Sequence, residues 1–332
     1  MVKAMIEQSL RSIATPIVGV LLFLILWGGA LLSLYGDPAT PVALSFFGYE
    51  LNLSLGWQVS ISMLFFLFDV YLLFRISNEY SLFNIHTSFA PGLFIALIGG
   101  STFLMPLYSG NICSSMMLLV VYVLLSTYQR RQAISEYLVG FTLLGFMVIL
   151  SPKWMLLIPF VFMGCRMFQS LTIRTFFTAL IGLIIPFWIG AGLLFLFDEF
   201  DHFLVPFREL IVFYPIQYRA FSAQQMVGAL LLLFFIVPSF LHYPASSFSI
   251  KEKARVCYNF LLILSIGVFF IVVLQPSLFN EFFSLFVGIA CIFVTQMLLS
   301  LHRRSRSIFF FIMIVLYLLY ITVPVWRDLL IS

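Results

Sequence analysis

Charge is what this sequence most lacks. Only 9% of its 332 residues are Asp, Glu, Lys or Arg, against roughly 25% in an average soluble domain. A water-soluble fold of this length needs far more charge to cover its surface, which excludes soluble enzyme domains and charge-rich disordered tails. Cysteine is also scarce. Cys113, Cys165, Cys257 and Cys291 form no CxxC pair, and no His stands at metal-finger spacing, so neither a disulfide scaffold nor a zinc module is supported. Long polar stretches are missing too: outside the apolar runs only 36–56 and 198–222 reach the size of a substantial loop. What is present is 63% hydrophobic and 18% aromatic residues, with a mean hydropathy of +1.13. The expected fold class is therefore all-α, a polytopic transmembrane helical bundle forming a single domain over residues 1–332.

A helix rises about 1.5 Å per residue, so crossing a hydrocarbon core of about 30 Å takes about 20 apolar residues. On that measure the chain divides into about eleven spans: 15–35, 57–75, 89–107, 112–128, 134–150, 153–169, 175–197, 223–242, 257–275, 282–301 and 307–325. The run from Ile17 to Leu34 exceeds the apolar core of a cleaved signal and reads as a retained first span. Lys and Arg collect on cytoplasmic loops. With the N-terminus inside and the C-terminus outside, 13 of the 17 Lys and Arg fall on the inner side, leaving Lys153, Arg208, Arg219 and Arg327 outside. The net charge of +4 thus reports orientation, with no nucleic acid implied. Trp57, Trp154 and Trp326 fall at outer interfaces, whereas Trp27 and Trp188 fall inside spans and read as filling between helices. The inner basic clusters at Arg130-Arg131, Lys251 to Arg255 and Arg303 to Arg306 read as topology anchors that can hold anionic membrane lipids.

The pair 134–150 and 153–169 allows two readings, two short full spans or one re-entrant hairpin. Two spans are favoured, because a hairpin would sink Lys153 into the bilayer at a cost of at least ~2.5 kcal/mol. Gly182, Pro186 and Gly190 recur every four residues, a stripe suited to close helix packing with a kink at Pro186. Gly99-Gly100 breaks the third span, and Pro91 suits its first turn. Gln296, Thr295 and Cys291 read as interhelical packing.

Three places could carry chemistry. Asp69 is the clearest charge inside a span, and an intramembrane acid is a functional candidate by default, as a proton or cation relay. It lies six residues from Arg75, on another helix face. The outer loop 198–222 places Phe200, Phe203, Leu204, Phe207, Leu210, Ile211 and Tyr214 on one face, the pattern of an interfacial amphipathic helix. Asp198, Asp201 and His202 stand at i, i+3, i+4, a spacing that could hold a divalent cation, and Glu199, Arg208 and Arg219 could contact a phosphate or carboxylate. No other cofactor is expected. Third, Asp37 follows the first span in loop 36–56. Its position resembles that of the acid in polytopic glycosyltransferases acting on lipid-linked sugars, a resemblance that implies a catalytic base there, although this loop is shorter than in that family.

The inner segment RISNEYSLFN (75–84), Met105-Pro106-Leu107, Asn111, and the run GFTLLGFMVILSPKWMLLIPFVFMG (140–164) before Arg166 resemble an uncharacterised family of polytopic inner-membrane proteins from Bacteroidota over residues 75–195. The resemblance implies a bacterial inner-membrane location and nothing about chemistry. Three function classes follow as expectations: a cell-envelope factor handling a lipid-linked substrate, a secondary transporter using Asp69, or a non-catalytic assembly subunit with other envelope proteins as partners.

Overall fold

The structure is a computed structural model of the chain. It describes residues 53–83, 86–130, 132–198 and 222–331, the backbone of 44–46 and 49–51, and single positions between 20 and 28 and at 200, 203 and 207. The helices are α1 Leu55–Glu79, α2 Phe89–Gly99, α3 Ser109–Leu125, α4 Ile134–Leu150, α5 Ile158–Met167, α6 Ile173–Leu196, α7 Ala223–Ser246, α8 Glu252–Leu274, α9 Phe279–Ser300 and α10 Arg303–Ile331. Among the described residues six helices are long and apolar enough to cross a membrane, lying within α1 and α6 to α10. Phe89–Gly99, Ser109–Leu125 and Ile134–Leu150 are apolar but shorter. Loop 36–56 adds an element the all-α expectation did not contain, an antiparallel hairpin of β1 Leu44–Phe46 and β2 Tyr49–Leu51, with Ser45 opposite Glu50.

α9 is the centre of the bundle, with α7, α2, α3 and α8 packed around it. Its sequence is apolar on every face, and a helix of that kind is stable only when surrounded. In its membrane-length window 89% of residues are buried, against 28% for the α6 window and 11% for the α10 window. α6 and α10 instead turn Ile181, Ile184, Leu193, Phe311 and Leu318 outward, the apolar exterior that a bilayer rather than water accommodates. Trp188 is 77% exposed on this exterior, so it does not fill space between helices as expected. Trp154, expected at an interface, is wholly buried with its ring 4.5 Å from that of Phe282. Trp57 is exposed, Trp27 is buried, and the Trp326 side chain lies outside the described residues.

The small-residue stripe does what its spacing suggests. A Cβ on Gly182 would meet the Leu138 carbonyl oxygen at 2.8 Å, and one on Gly145 would meet the Leu183 oxygen at 2.7 Å. α4 and α6 are therefore in backbone contact along Gly182, Pro186 and Gly145. Their neighbour is a broken segment: α4 ends at Leu150, a 3-10 turn covers Pro152–Leu157, and α5 follows. Both ends of this hairpin meet, because the Gln129 amide donates to the Phe168 carbonyl at 3.0 Å and Tyr137 reaches Ser170 at 2.9 Å.

Polar side chains tie the bundle at two levels. At one, Gln224 accepts from Thr102 (2.6 Å) and donates to the Gly100 carbonyl (2.8 Å), while Gln225 donates to Asn280 (2.8 Å). Gln225 also closes a capping box with Ser222 at the start of α7. At the other, Arg306 donates to the carbonyls of Leu299 and Leu301, satisfying the end of α9, and Tyr258 donates to Gln296, the interhelical bond expected of that residue.

Candidate functional site

α1 and α3 run side by side in the same direction, and their contact holds a seam of polar groups. Asn111, near the start of α3, donates through Nδ2 to the Ser62 hydroxyl at 3.1 Å and also reaches the Pro106 carbonyl at 3.2 Å. One turn on, the Ser115 hydroxyl is shared between the carbonyls of Asn111 (3.2 Å) and Phe65 (3.4 Å). One turn beyond Phe65 on α1 stands Asp69, with Ser115 as its polar neighbour. Asp69 is 0% exposed, neither carboxyl oxygen has a donor in good hydrogen-bond geometry, and the Ser115 hydroxyl is the one side chain near enough to bond it. It lies fourteen residues into α1 and ten from its end, about 21 Å and about 15 Å along the axis. That is deeper than the sequence suggested, because α1 continues past Arg75 to Glu79. Arg75 does not serve Asp69: it pairs with Glu79 at 2.9 Å and donates to the Tyr122 hydroxyl at 3.0 Å.

Polarity along the seam is one-sided. From the start of α1 to Asp69 it carries Gln58, Ser62, Asn111, Ser114 and Ser115, all buried. Past Asp69 the buried side chains are Leu72, Leu73 and Ile76 on α1 and Leu118, Val121, Leu124 and Leu125 on α3, with only Ser77 interrupting. The far end closes with Arg75, Glu79 and Tyr122, the last donating to Glu79 at 3.0 Å. Tyr80 donates to the Tyr122 carbonyl at 2.7 Å, burial pushes its phenol above its ordinary range, and the Lys253 ammonium sits 5.3 Å from its ring.

A second carboxyl stands at the polar end. Glu281, in the first turn of α9, accepts from the Ser109 hydroxyl at 2.8 Å, while its Oε2 is sealed from outside with the Trp154 indole as its nearest donor. The contact is possible because residue 110 is glycine: a Cβ there would lie 2.5 Å from the Glu281 Cα. Trp154 and Lys153 approach Glu281 from the turn before α5. Tyr108 lies beside it too, its phenol pushed up first by burial and then by the Glu281 charge.

Of the residues expected to form a site, Asp69 is the one that lies in the polar α1/α3 seam. Asp37, Asp201, His202, Arg208 and Arg219 lie outside the described residues, as does Glu199. Asp198 is exposed in a left-handed turn (φ 55°) after α6, so the helical register counted from it does not begin at that residue. Further along the same loop Phe200 stacks on Phe203 at 6.0 Å, Phe203 meets Phe207 at 5.7 Å with the rings tilted by 46°, and Phe207 packs on Phe187 of α6 at 5.8 Å. No group of three His, Cys, Asp or Glu side chains comes together among the described residues. Glu281 and Asn111 were missed as site residues. Glu281 counts in sequence only as an outer-loop acid, and the available signal was the polar run Ser109 to Ser115 opening an otherwise apolar span.

A separate cavity of about 180 Å³ opens between α7, α8 and α9, lined by Ala229, Leu232, Val268, Val272 and a wall of Phe279, Phe282, Phe283 and Phe286. It is almost wholly apolar, and the Gln225–Asn280 pair stands beside it. Comparison with protein-family models, with curated proteins and with solved structures finds no match to this chain.

Proposed function

We propose that this protein is an ion-coupled secondary transporter of a bacterial inner membrane in which Asp69 carries the coupling proton or cation. One observation carries the reading: a carboxyl wholly buried at mid-helix whose one polar neighbour is the Ser115 hydroxyl, with no opposite charge among the described residues to pair it. In low dielectric a bare carboxylate is too costly to persist, so such a group is neutral or holds a cation. A helix needing only a packed residue there has Leu or Ala at far lower cost. The polar approach on one side of Asp69 and the apolar closure on the other suit a site reached from one face at a time. In proteoliposomes screened against a panel of sugars, amino acids and organic anions, at least one solute should collapse an imposed proton or sodium gradient. Asp69→Asn should reduce that rate to the level of protein-free vesicles, and a full rate in the variant would reject the reading.

The topology belongs to the same proposal: eleven spans, N-terminus inside, C-terminus outside, in a protein resembling the polytopic family of Bacteroidota. The distribution of Lys and Arg supports it. So does the hairpin from α4 to α5, whose meeting ends return the chain to its starting side. Its arms, seventeen residues of α4 and the 3-10 turn plus α5, each extend about 25 Å. In this orientation the polar end of the α1/α3 seam faces outward. Cysteines placed at Asp37 and at Lys251 should react with an impermeant maleimide from opposite sides; reaction from the same side would overturn the order of spans.

A second reading is favoured by the Phe-lined cavity with its amide pair: a cell-envelope factor that holds a lipid-linked substrate by its chain. The flux assay separates the two. A protein that couples no solute to either gradient, and whose Asp69→Asn variant behaves identically, belongs to the second.

A further inference from the structure

Glu281 and Asp69 are joined by the first turns of α3. Ser109 bonds Glu281, Asn111 bonds Ser62, and Ser115 stands beside Asp69. Six residues separate Ser109 from Ser115, so about 9 Å of α3 lies between the serine beside Glu281 and the serine beside Asp69. Along that stretch Asn111 Oδ1 has no donor, the two oxygens of Asp69 share only the Ser115 hydroxyl, and Gln58 Oε1 extends the set toward the start of α1. The donors nearby are few: the Trp154 indole N–H serves Glu281, the Ser284 hydroxyl stands one turn along α9, and the Trp27 indole lies against Phe66. Buried acceptors in such excess are stabilised by something that brings positive charge without needing acceptors of its own.

We infer that the row from Glu281 to Asp69 is the access path and binding site for one small monovalent cation, taken as Na⁺ or as a proton, with Glu281 as its outer station. The inference rests on the reading of Asp69 as an ion-carrying group. The charge follows from the ligand set. Hard oxygens suit hard cations; at each end of the row a single carboxyl stands amid neutral oxygens and balances one positive charge, leaving a divalent ion uncompensated in low dielectric. The path is closed past Asp69 by Leu72, Leu73, Ile76 and Leu118. The charged and titratable groups around Glu281 among the described residues are Tyr108, Cys113 and Lys153; around Asp69 no other charge acts. Lys153 beside the outer station opposes cation entry, and Glu281 favours it.

The test uses the full-length protein in liposomes and dicyclohexylcarbodiimide, which attacks protonated intramembrane carboxyls, with mass spectrometry reading the Asp69 adduct. In the sodium case NaCl protects Asp69 at constant pH. In the proton case NaCl has no effect and labelling falls as pH rises. Glu281→Gln should raise the half-protecting Na⁺ concentration about tenfold, or lower the pH of half-labelling by about one unit, the size of a charge effect over about 10 Å in a protein-like medium. Lys153→Gln should act in the opposite direction, which damage to the fold would not produce. Asp69 that labels and responds to cation, with midpoints unmoved in both variants, overturns the path while leaving the Asp69 reading intact. Asp69 that never labels, or labels without regard to Na⁺ or pH, removes both.

Discussion

Gly110→Ala should lower the stability of the folded protein by about 1–3 kcal/mol, the usual cost of forcing an added carbon into a packed core. The added Cβ would lie 2.5 Å from the Glu281 Cα and 2.6 Å from its carbonyl oxygen. Both are backbone atoms, so no side chain can rotate away. The whole start of α3 has to move off α9, the most enclosed of the membrane-length helices. The same displacement draws Ser109 away from Glu281, so the variant also disturbs the outer station. Gly192→Ala is the contrast: nothing lies within 4 Å of a Cβ at that position in α6, and alanine is the better helix former by about 1 kcal/mol. The four cysteines are free and buried, so a thiol-reactive dye reports unfolding of the protein in detergent without any added probe. Equal midpoints for Gly110→Ala and the parent would show that α3 and α9 are not in backbone contact.

Much of this arrangement was legible in the amino-acid pattern, and what was not shares one cause. Every apolar run from residue 57 onward contains helix, the break at Gly99-Gly100 is real, and the Gly182–Pro186 stripe is a packing surface as its four-residue spacing implies. Hydropathy, however, scores a residue against water, and both lipid and protein interior are apolar. The α9 and α10 runs look alike by that measure, yet one is the core and the other the rim. Trp154 and Trp188 exchanged their expected environments for the same reason. Asp69 stood out because its class is rare inside a span. Asn111 and Ser115 did not, because small polar residues are common in helices that merely pack. Their significance comes from the line they form on α3, Asn111 bonding Ser62 and Ser115 standing beside Asp69, which only the register of α1 against α3 supplies. Glu281 was hidden by its position, one turn into α9, where a loop acid and a buried acid read alike.

Asp69→Val should stabilise the protein by about 1–3 kcal/mol, the cost typically released when a buried polar group without partners is replaced by an apolar one. The sign is the informative part. An acid kept for structure, holding two helices together by hydrogen bonds, would be destabilising to remove. Asp69 has little of that kind: its one polar neighbour is the Ser115 hydroxyl, whose single proton is also within reach of the Asn111 and Phe65 carbonyls, and Arg75 is committed to Glu79. Its neighbours on α1 and α3 toward the far end are Leu72, Leu73 and Leu118, among which a valine packs without strain. Measured with the same dye, a rise in the unfolding midpoint together with loss of gradient-driven flux would place this residue among those retained against stability for what they do. A fall in the midpoint would mean that the carboxyl has partners in the membrane, and the case for a mobile cation at this depth would lose its foundation.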